Sequence, residues 1–314
     1  MNEATLDLAT VGEVMGLLLA PPGQTLDRAA RLRASYAGAE STVAVGLARL
    51  GHRVHLTTRL GQDSFGARIR RELRAEGVEV SAAADPVRPT GILLRDASVV
   101  HPVTVEYHRV GSAASGLTPD ALDPAKIGGA RLLHITGITA ALSPSGFETI
   151  VHAAGIARAA AVPVCLDPNV RLRLASPERW AVILERLSRL ADIVLTGADD
   201  AAVVTDEDPA AWFLDRGARI VVVKDGARGA REVGPQGRHQ QPALGTVLAD
   251  PVGAGDAFAA GWLSGYLRGE APPERLRRAA VTAACAISVP GDVDGLPDGA
   301  TLQRVLDEHA DVAR

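Results

Sequence analysis

The chain has 314 residues, 47% of them hydrophobic, with 33 Lys and Arg against 37 Asp and Glu and a formal net charge of -4 at pH 7. This length supports one large core or one domain with a small appendage, and mild acidity without a basic stripe in either half argues against nucleic acid as a partner. Two cysteines exclude a disulfide framework; with no basic start and long apolar run in MNEATLDLATVGEV, and no segment of bilayer-spanning length, the expectation is a cytoplasmic protein with no membrane partner.

Aromatic residues make up only 3%, so the core must be built from Ala, Val, Leu and Ile. In chain order, Thr5 to Gly12 reads as the first strand, Ser41 to Leu50 as a helix and Arg53 to Thr58 as the next strand. Phe65 to Glu76 has helical spacing and ends at Gly77, a good C-terminal cap. From Thr90 to Val110 the pattern changes: GILLRD and VTVEYHRV are strand-like runs around a short loop, interrupting the alternation of helix and strand. With the apolar run Met15 to Ala20 and the stretch before Tyr36, this hairpin can form a small sheet of its own. Strands then recur at Arg131 to Thr136, Val162 to Asp167, Ile193 to Thr196 and Ile220 to Lys224, with helices between them, which implies right-handed βαβ units in a parallel sheet covered on both faces. GPQGRHQQP (Gly234 to Pro242) reads as a mobile turn, and three helical stretches follow from Ala254. Cys165 and Cys285 read as small buried hydrophobes; His101, His108 and His134 are scattered, without metal spacing, and read as structural or surface residues.

The run DPVGAGDAFAAGWLSGYL (Asp250 to Leu267) joins a glycine turn, a carboxylate and a helix start. Gly253 and Gly255 leave the backbone bare, so an anion can approach the N–H groups at the mouth of a helix beginning near Ala254. Asp256 stands on its first turn, facing the same pocket, and a carboxylate beside a phosphate site is useful as the base for a hydroxyl that attacks phosphorus. Phe258, Trp262 and Tyr266, at four-residue spacing, read as ordinary core. Phe258 occupies the third-glycine position of a dinucleotide fingerprint, and no GxxxxGK[ST] loop occurs. In open parallel sheets ligands bind beyond the strand C-termini. LDPNVR, with Asp167, Asn169 and Arg171 directly after an apolar strand, satisfies that rule, although Asp-Pro-Asn is also strong turn chemistry.

DPVGAGDAF resembles the C-terminal signature of the ribokinase-like (PfkB) carbohydrate kinases, close to D-[TP]-x-G-A-G-D, and Tyr36 to Gly66 is similar to the N-terminal signature of that family. Within it, YHRVGSAAS (Tyr107 to Ser115), LLHITGITAALS (Leu132 to Ser143) and LDPNVR are most similar to 2-keto-3-deoxygluconate kinases. The resemblance implies one doubly wound α/β domain over residues 1–314, with helices on both faces of a mainly parallel sheet. It also implies a β-sheet lid built from about 13–37 and 88–112, through which such chains form homodimers or higher homo-oligomers. It implies ATP and Mg2+ as cofactors and a sugar or sugar acid as the acceptor. Asp256 becomes the base, and Gly253, Ala254 and Gly255 the amides that hold the transferred phosphoryl group.

The other residues carried over are Gly38, Thr42, Tyr107, Arg109, Arg171 and Asp292 for the sugar, and Asn169, Lys224, Gly226 and Gly229, with Gly253 and Gly255, for the nucleotide. Asp199 stands in the position of the acid that organises magnesium water, while Asp200 reads as a solvated helix-start charge. Ala37, Thr42, Leu93, Thr196 and Ala280 depart from the family pattern, so fructokinase, ribokinase, nucleoside kinase and a non-catalytic binding homologue stay open beside the sugar-acid reading. Arg109 and Arg171 are the two cations expected nearest the acceptor, and a sugar carboxylate would pair with what a neutral ketose leaves desolvated.

Overall fold

The structure, a computed structural model, describes residues 6–96 and 103–312. Thr5 and His101, both read above, lie outside the described residues, as does the segment 97–102. The chain first lays down β1 (Leu8–Val11), β2 (Met15–Leu19) and β3 (Arg33–Ala37), then α1 (Ala39–Arg49), β4 (Val54–Gly61), α2 (Ser64–Ala75), β5 (Glu79–Asp85), β6 (Ile92–Arg95) and β7 (Val105–His108). After α3 (Pro124–Gly128) come β8 (Leu133–Thr136), α4 (Gly137–Leu142), α5 (Pro144–Ala159), β9 (Val164–Asp167), α6 (Pro177–Ser188), β10 (Ile193–Gly197), α7 (Pro209–Leu214) and β11 (Ile220–Lys224). The antiparallel pair β12 (Ala230–Gly234) and β13 (Gly237–Gln241) leads to α8 (Ala254–Leu267), α9 (Pro272–Ile287) and α10 (Gly299–Val312).

Nine strands form the main sheet in the order β13-β12-β11-β10-β9-β8-β1-β4-β5, parallel except where β12 and β13 add to its edge. A second sheet, β3-β2-β6-β7, is the expected small one, with β2 and β6 parallel and the outer pairs antiparallel. Alternation along the buried strands sends side chains to two cores. Ala9, Val11, Val164, Leu166, Val194 and Val221 pack with Ile150 of α5, Ile183 and Leu187 of α6 and Phe213 of α7. Leu8, Leu56, Cys165, Ile193, Leu195 and Val222 turn the other way, toward Val43 of α1, Leu73 of α2, Trp262 of α8 and Leu276 of α9. Both faces are therefore covered, as the near-continuous apolar runs require.

Local chemistry sets the helix ends. Asp63 caps α2 by accepting from the Gly66 amide at 2.8 Å, and Gly77, with φ +80°, follows its last turn. Ser143 caps α5 through the Gly146 amide at 2.9 Å, just ahead of Pro144. β5, in the Ala-rich stretch EVSAAAD, has no alternation to announce it.

The reading of Gly234 to Pro242 as a mobile turn is corrected here. Arg238, His239, Gln240 and Gln241 pair with β12, so only Pro235 and Gln236 turn. The hairpin is pinned from beneath: Glu232, 1% exposed, accepts from Trp262 Nε1 at 2.9 Å and from Arg275 Nε at 2.8 Å. Removing one partner of a buried ion pair strands the other charge, at a cost of about 3–5 kcal/mol. Glu232→Ala should accordingly lower the free energy of unfolding by about that amount; a urea unfolding curve within 1 kcal/mol of the parent would contradict the role given to Glu232.

Candidate active site

The site is built where the main-sheet strands end, around the first turn of α8. Gly253 precedes that turn with φ +84°, a left-handed conformation that favours glycine. The first helical bond closes from the Ala257 amide to the Gly253 carbonyl at 2.9 Å, so the preceding amides have no acceptor within the helix. This turn is a wall between two cavities. On one side Val252, Gly253 and Asp256 line a tight cavity of about 90 Å3 together with Gly38, Glu40, Asn169 and Arg171. On the other, Pro251, Ala254, Gly255 and Phe258 line a cavity of about 640 Å3. A hollow of about 620 Å3 elsewhere, beside Val162, Pro163, Ile193 and Ile220, shares none of these residues.

At the wall, three carboxylates gather around one ammonium. Lys224, the last residue of β11, places Nζ 2.6 Å from Asp167 Oδ2 at the end of β9. Burial would push the Lys224 ammonium down, but Asp167, with Asp200 and Asp256 further off, holds it above its ordinary value. Asp256 is half-buried, and its Oδ1 accepts from Asn169 Nδ2 at 3.2 Å. Burial, reinforced by Asp167, raises its carboxyl to about 7, with Lys224 and Arg171 opposing the rise. A carboxylate near 7 is matched to general-base work at neutral pH.

Asp200 is not the solvated charge expected of it. It accepts from the Val170 amide at 2.8 Å and the Gly197 amide at 2.9 Å, which fastens the loop after β9 to that after β10. Burial, then Asp167, raises its carboxyl as well. Asp199, the residue expected on magnesium water, is exposed and lines neither cavity.

The larger cavity collects the expected nucleotide residues Lys224, Gly226, Gly229 and Gly255, and one wall is Ala280, Ala283, Ala284 and Ile287 of α9. Phe258, read as core alone, also faces it. Gly253 and Asn169 are the exceptions among the nucleotide residues: both line the smaller cavity. Asn169, with its backbone at φ +44°, hydrogen-bonds Asp256 there.

The smaller cavity brings together Gly38, Tyr107, Arg109, Arg171 and Asp292. A Cβ on Gly38 would stand 2.4 Å from the Glu13 carbonyl oxygen, so only glycine fits. Thr42, fully buried further along α1, does not line the cavity. Arg109, expected as a cation open to ligand, is already paired with Glu13, itself 2% exposed and held by Ser112 at 3.2 Å. Burial raises the Glu13 carboxyl against the pull of Arg109. Arg171 differs: its hydrogen bond is to the Val170 carbonyl at 3.3 Å, and it stays exposed at the rim.

Two residues the sequence reading missed complete this side. Arg95, 0% exposed at the end of β6 in the small sheet, donates to Asp250 Oδ2 and Asp292 Oδ1, each at 2.7 Å. It thereby ties the small sheet to both the glycine turn and the loop carrying Asp292. Glu40 stands on the first turn of α1, and no sequence motif singled it out.

Residues 5–299 match the profile of the pfkB family carbohydrate kinases. The chain belongs to that family. Among curated relatives of this kinase, the 2-dehydro-3-deoxygluconokinase of Bacillus subtilis is 35% identical over 96% of this chain and 95% of its own, and that of Thermoproteus tenax is 32% identical over 97% and 95%. A crystal structure of a PfkB protein from Polaromonas sp. JS666 is 37% identical, covers 95% of this kinase and 99% of its own chain, and superposes with a TM-score of 0.86. The ribokinase-like fold expected from the motifs is thereby shown, and ATP is the phosphoryl donor of the family. Among the described residues of this kinase, no helix is long and apolar enough to cross a membrane.

Two outcomes follow for Asp256. Asp256→Asn should lower kcat by about 10²–10⁴-fold with sugar and ATP affinities within a few-fold, measured by coupled turnover and by calorimetric titration; a variant retaining substantial turnover would remove Asp256 as base. The pKa raised in the fold to about 7 means that the folded state binds more protons than the unfolded state between about pH 4 and 7, so ionisation of Asp256 costs stability as pH rises through that window. Thermal unfolding should show Asp256→Asn more stable than the parent at pH 8, with the gap closing toward pH 4. A gap that widens toward acid would reverse the assignment of the shift.

Proposed function

We propose that this kinase transfers the γ-phosphoryl group of ATP to the 6-hydroxyl of 2-keto-3-deoxygluconate, the compound also called 2-dehydro-3-deoxygluconate. The observation that carries the reading is the shared wall: Asp256 faces the smaller cavity while Ala254 and Gly255 face the larger. An acceptor in the first and a nucleotide in the second would meet across one helix turn. Asp256 would take the proton from the attacking hydroxyl, while the amides of Gly253, Ala254 and Gly255 and the Lys224 ammonium would face the charge on the transferred group. Asn169 orients the base through its hydrogen bond to Oδ1.

The residues fit a magnesium nucleotide. Asp167 Oδ1 is buried without a hydrogen-bond partner beside the Lys224 pair, so it is an acceptor left over for a water of the ion, whereas Asp199 stands exposed. When bound, Mg2+ supplies charge neutralisation on the phosphates.

For the acceptor, the support is the two 2-dehydro-3-deoxygluconokinases named above and the open Arg171 guanidinium at the rim. With Arg109 neutralised by Glu13, Arg171 is the cation we assign to the sugar carboxylate. A charge-assisted bond of about 1.5–3 kcal/mol corresponds to one to two decades in kcat/KM. A cytoplasmic location and a homo-oligomer formed through the lid, where Tyr107 is 38% exposed and Val110 fully so, complete the proposal.

A coupled ATP-consumption assay over 2-keto-3-deoxygluconate, fructose, ribose and a nucleoside tests the substrate. The sugar acid should lead fructose by about 10–100-fold in kcat/KM, and Arg171→Leu should erase most of that lead while changing fructose turnover little. Equal or better turnover of fructose, ribose or the nucleoside would sink the sugar-acid reading.

A second variant tests the phosphate cradle. A Cβ at Gly255 would lie 3.7 Å from Lys224 Nζ, which an alanine tolerates and the branches of a valine do not. Gly255→Val should therefore lose turnover while Gly255→Ala keeps most of it, and equal rates for the two would refute crowding at the cradle.

A further inference from the structure

Glu40 is a buried carboxyl whose chemistry the phosphoryl transfer leaves unused. It is 1% exposed, and its Oε1 accepts from the hydroxyls of Thr136, at the end of β8, and Thr139, in α4, each at 2.7 Å. Its other oxygen, Oε2, is buried without a hydrogen-bond partner, although the residue lines the acceptor cavity beside Gly38, Asn169 and Asp256. The fold makes room for it: a Cβ at Gly12 would stand 2.1 Å from Glu40 Cδ, so β1 must end on a bare backbone.

A carboxyl kept only to brace the fold would have both oxygens satisfied, because an orphaned buried acceptor costs about 1–3 kcal/mol. Here the two threonine hydrogens are spent on one oxygen, which fixes the rotamer and leaves the second for something that enters the cavity. Burial raises the Glu40 carboxyl to about 7 against the pull of both threonines, so Oε2 can present either a proton or a lone pair. A sugar hydroxyl, at once donor and acceptor, satisfies either form. Glu40 lines only the acceptor cavity and not the donor side of the wall, which separates its role from that of Asp256.

We infer that Glu40 is a specificity-determining residue that binds, through Oε2, a hydroxyl of the acceptor other than the one phosphorylated. This rests on the kinase reading and, for the choice of probe, on the sugar-acid reading. In 2-keto-3-deoxygluconate the candidates are the hydroxyls on C4 and C5. The test measures kcat, the KM for sugar and the KM for ATP in the full chain, for the parent, Glu40→Ala and Glu40→Gln, with 2-keto-3-deoxygluconate and its 4-deoxy and 5-deoxy analogues.

Glu40→Ala should lose about 10–100-fold in kcat/KM for the parent sugar, mainly through KM, with the KM for ATP within two-fold. Glu40→Gln, which keeps an acceptor for the threonines and offers an amide where Oε2 stood, should recover much of the loss. One deoxy analogue, already poor with the parent enzyme, should lose nothing more in Glu40→Ala. Equal losses on both analogues and the full sugar, or a KM for ATP that moves with that for sugar, would overturn the inference. If Glu40→Ala does not fold, Glu40→Gln carries the test: selective weakening of all sugars but one deoxy analogue supports it, and uniform weakening overturns it. Failure of the sugar-acid reading looks different, because the parent enzyme itself then turns over 2-keto-3-deoxygluconate no better than fructose, and the series is run with deoxy analogues of the preferred sugar.

Discussion

Three carboxylates, those of Asp167, Asp200 and Asp256, share the single ammonium of Lys224, and the arrangement of the site depends on that imbalance. With Asp167 taking the ion pair at 2.6 Å, Asp256 is left to face burial and a neighbouring negative charge, which raises it to about 7. The β9, β10 and β11 ends supply Asp167, Asp200 and Lys224 because the parallel register brings those ends side by side. α8, packed on one face of the sheet, then adds the fourth member. Fold and pKa are thus one problem: a parallel sheet converges residues from separate stretches of sequence, and burial there, reinforced by repulsion from Asp167, raises the carboxyl of Asp256.

A second charge cluster plays a mechanical part. Arg95 has no water contact and two carboxylate partners, so each partner is costly to lose. Asp250 also accepts from the Gly291 amide at 3.0 Å and the Val252 amide at 3.1 Å, which holds the glycine turn from both sides. The small sheet is therefore bonded to the loop that forms the wall between the cavities, besides lining the smaller one.

What was legible in the sequence was what depends on short spacing. The glycine turn, the α8 start and Asp256 lie within seven residues, and the strands of the parallel sheet are apolar runs visible without partners. The small sheet could be read from the break in alternation around Thr90 to Val110. What was not legible depends on partners far along the chain. Arg109 reads as a free cation until Glu13, 96 residues earlier, is seen against it. Arg95 looks like the polar end of a strand until Asp250 and Asp292 close on it. Asp199 and Asp200 are equivalent in sequence, and only the Val170 and Gly197 amides distinguish them. β13 was hidden because Gly, Arg, His and Gln carry little strand propensity; the ladder to β12 and the Glu232 anchor beneath that strand override it.

Residues 12–14 separate β1 from β2, and Gly38 alone separates β3 from α1, so the small sheet leaves the large one through two short joints at one end. At its other end, beside Leu19, Arg95 is clamped to Asp250 and Asp292. Swinging the sheet away as a body would strand the buried Arg95 charge, which is costly. Fastened by covalent joints at one end and by ion pairs at the other, the small sheet is a fixed roof and not a hinged one.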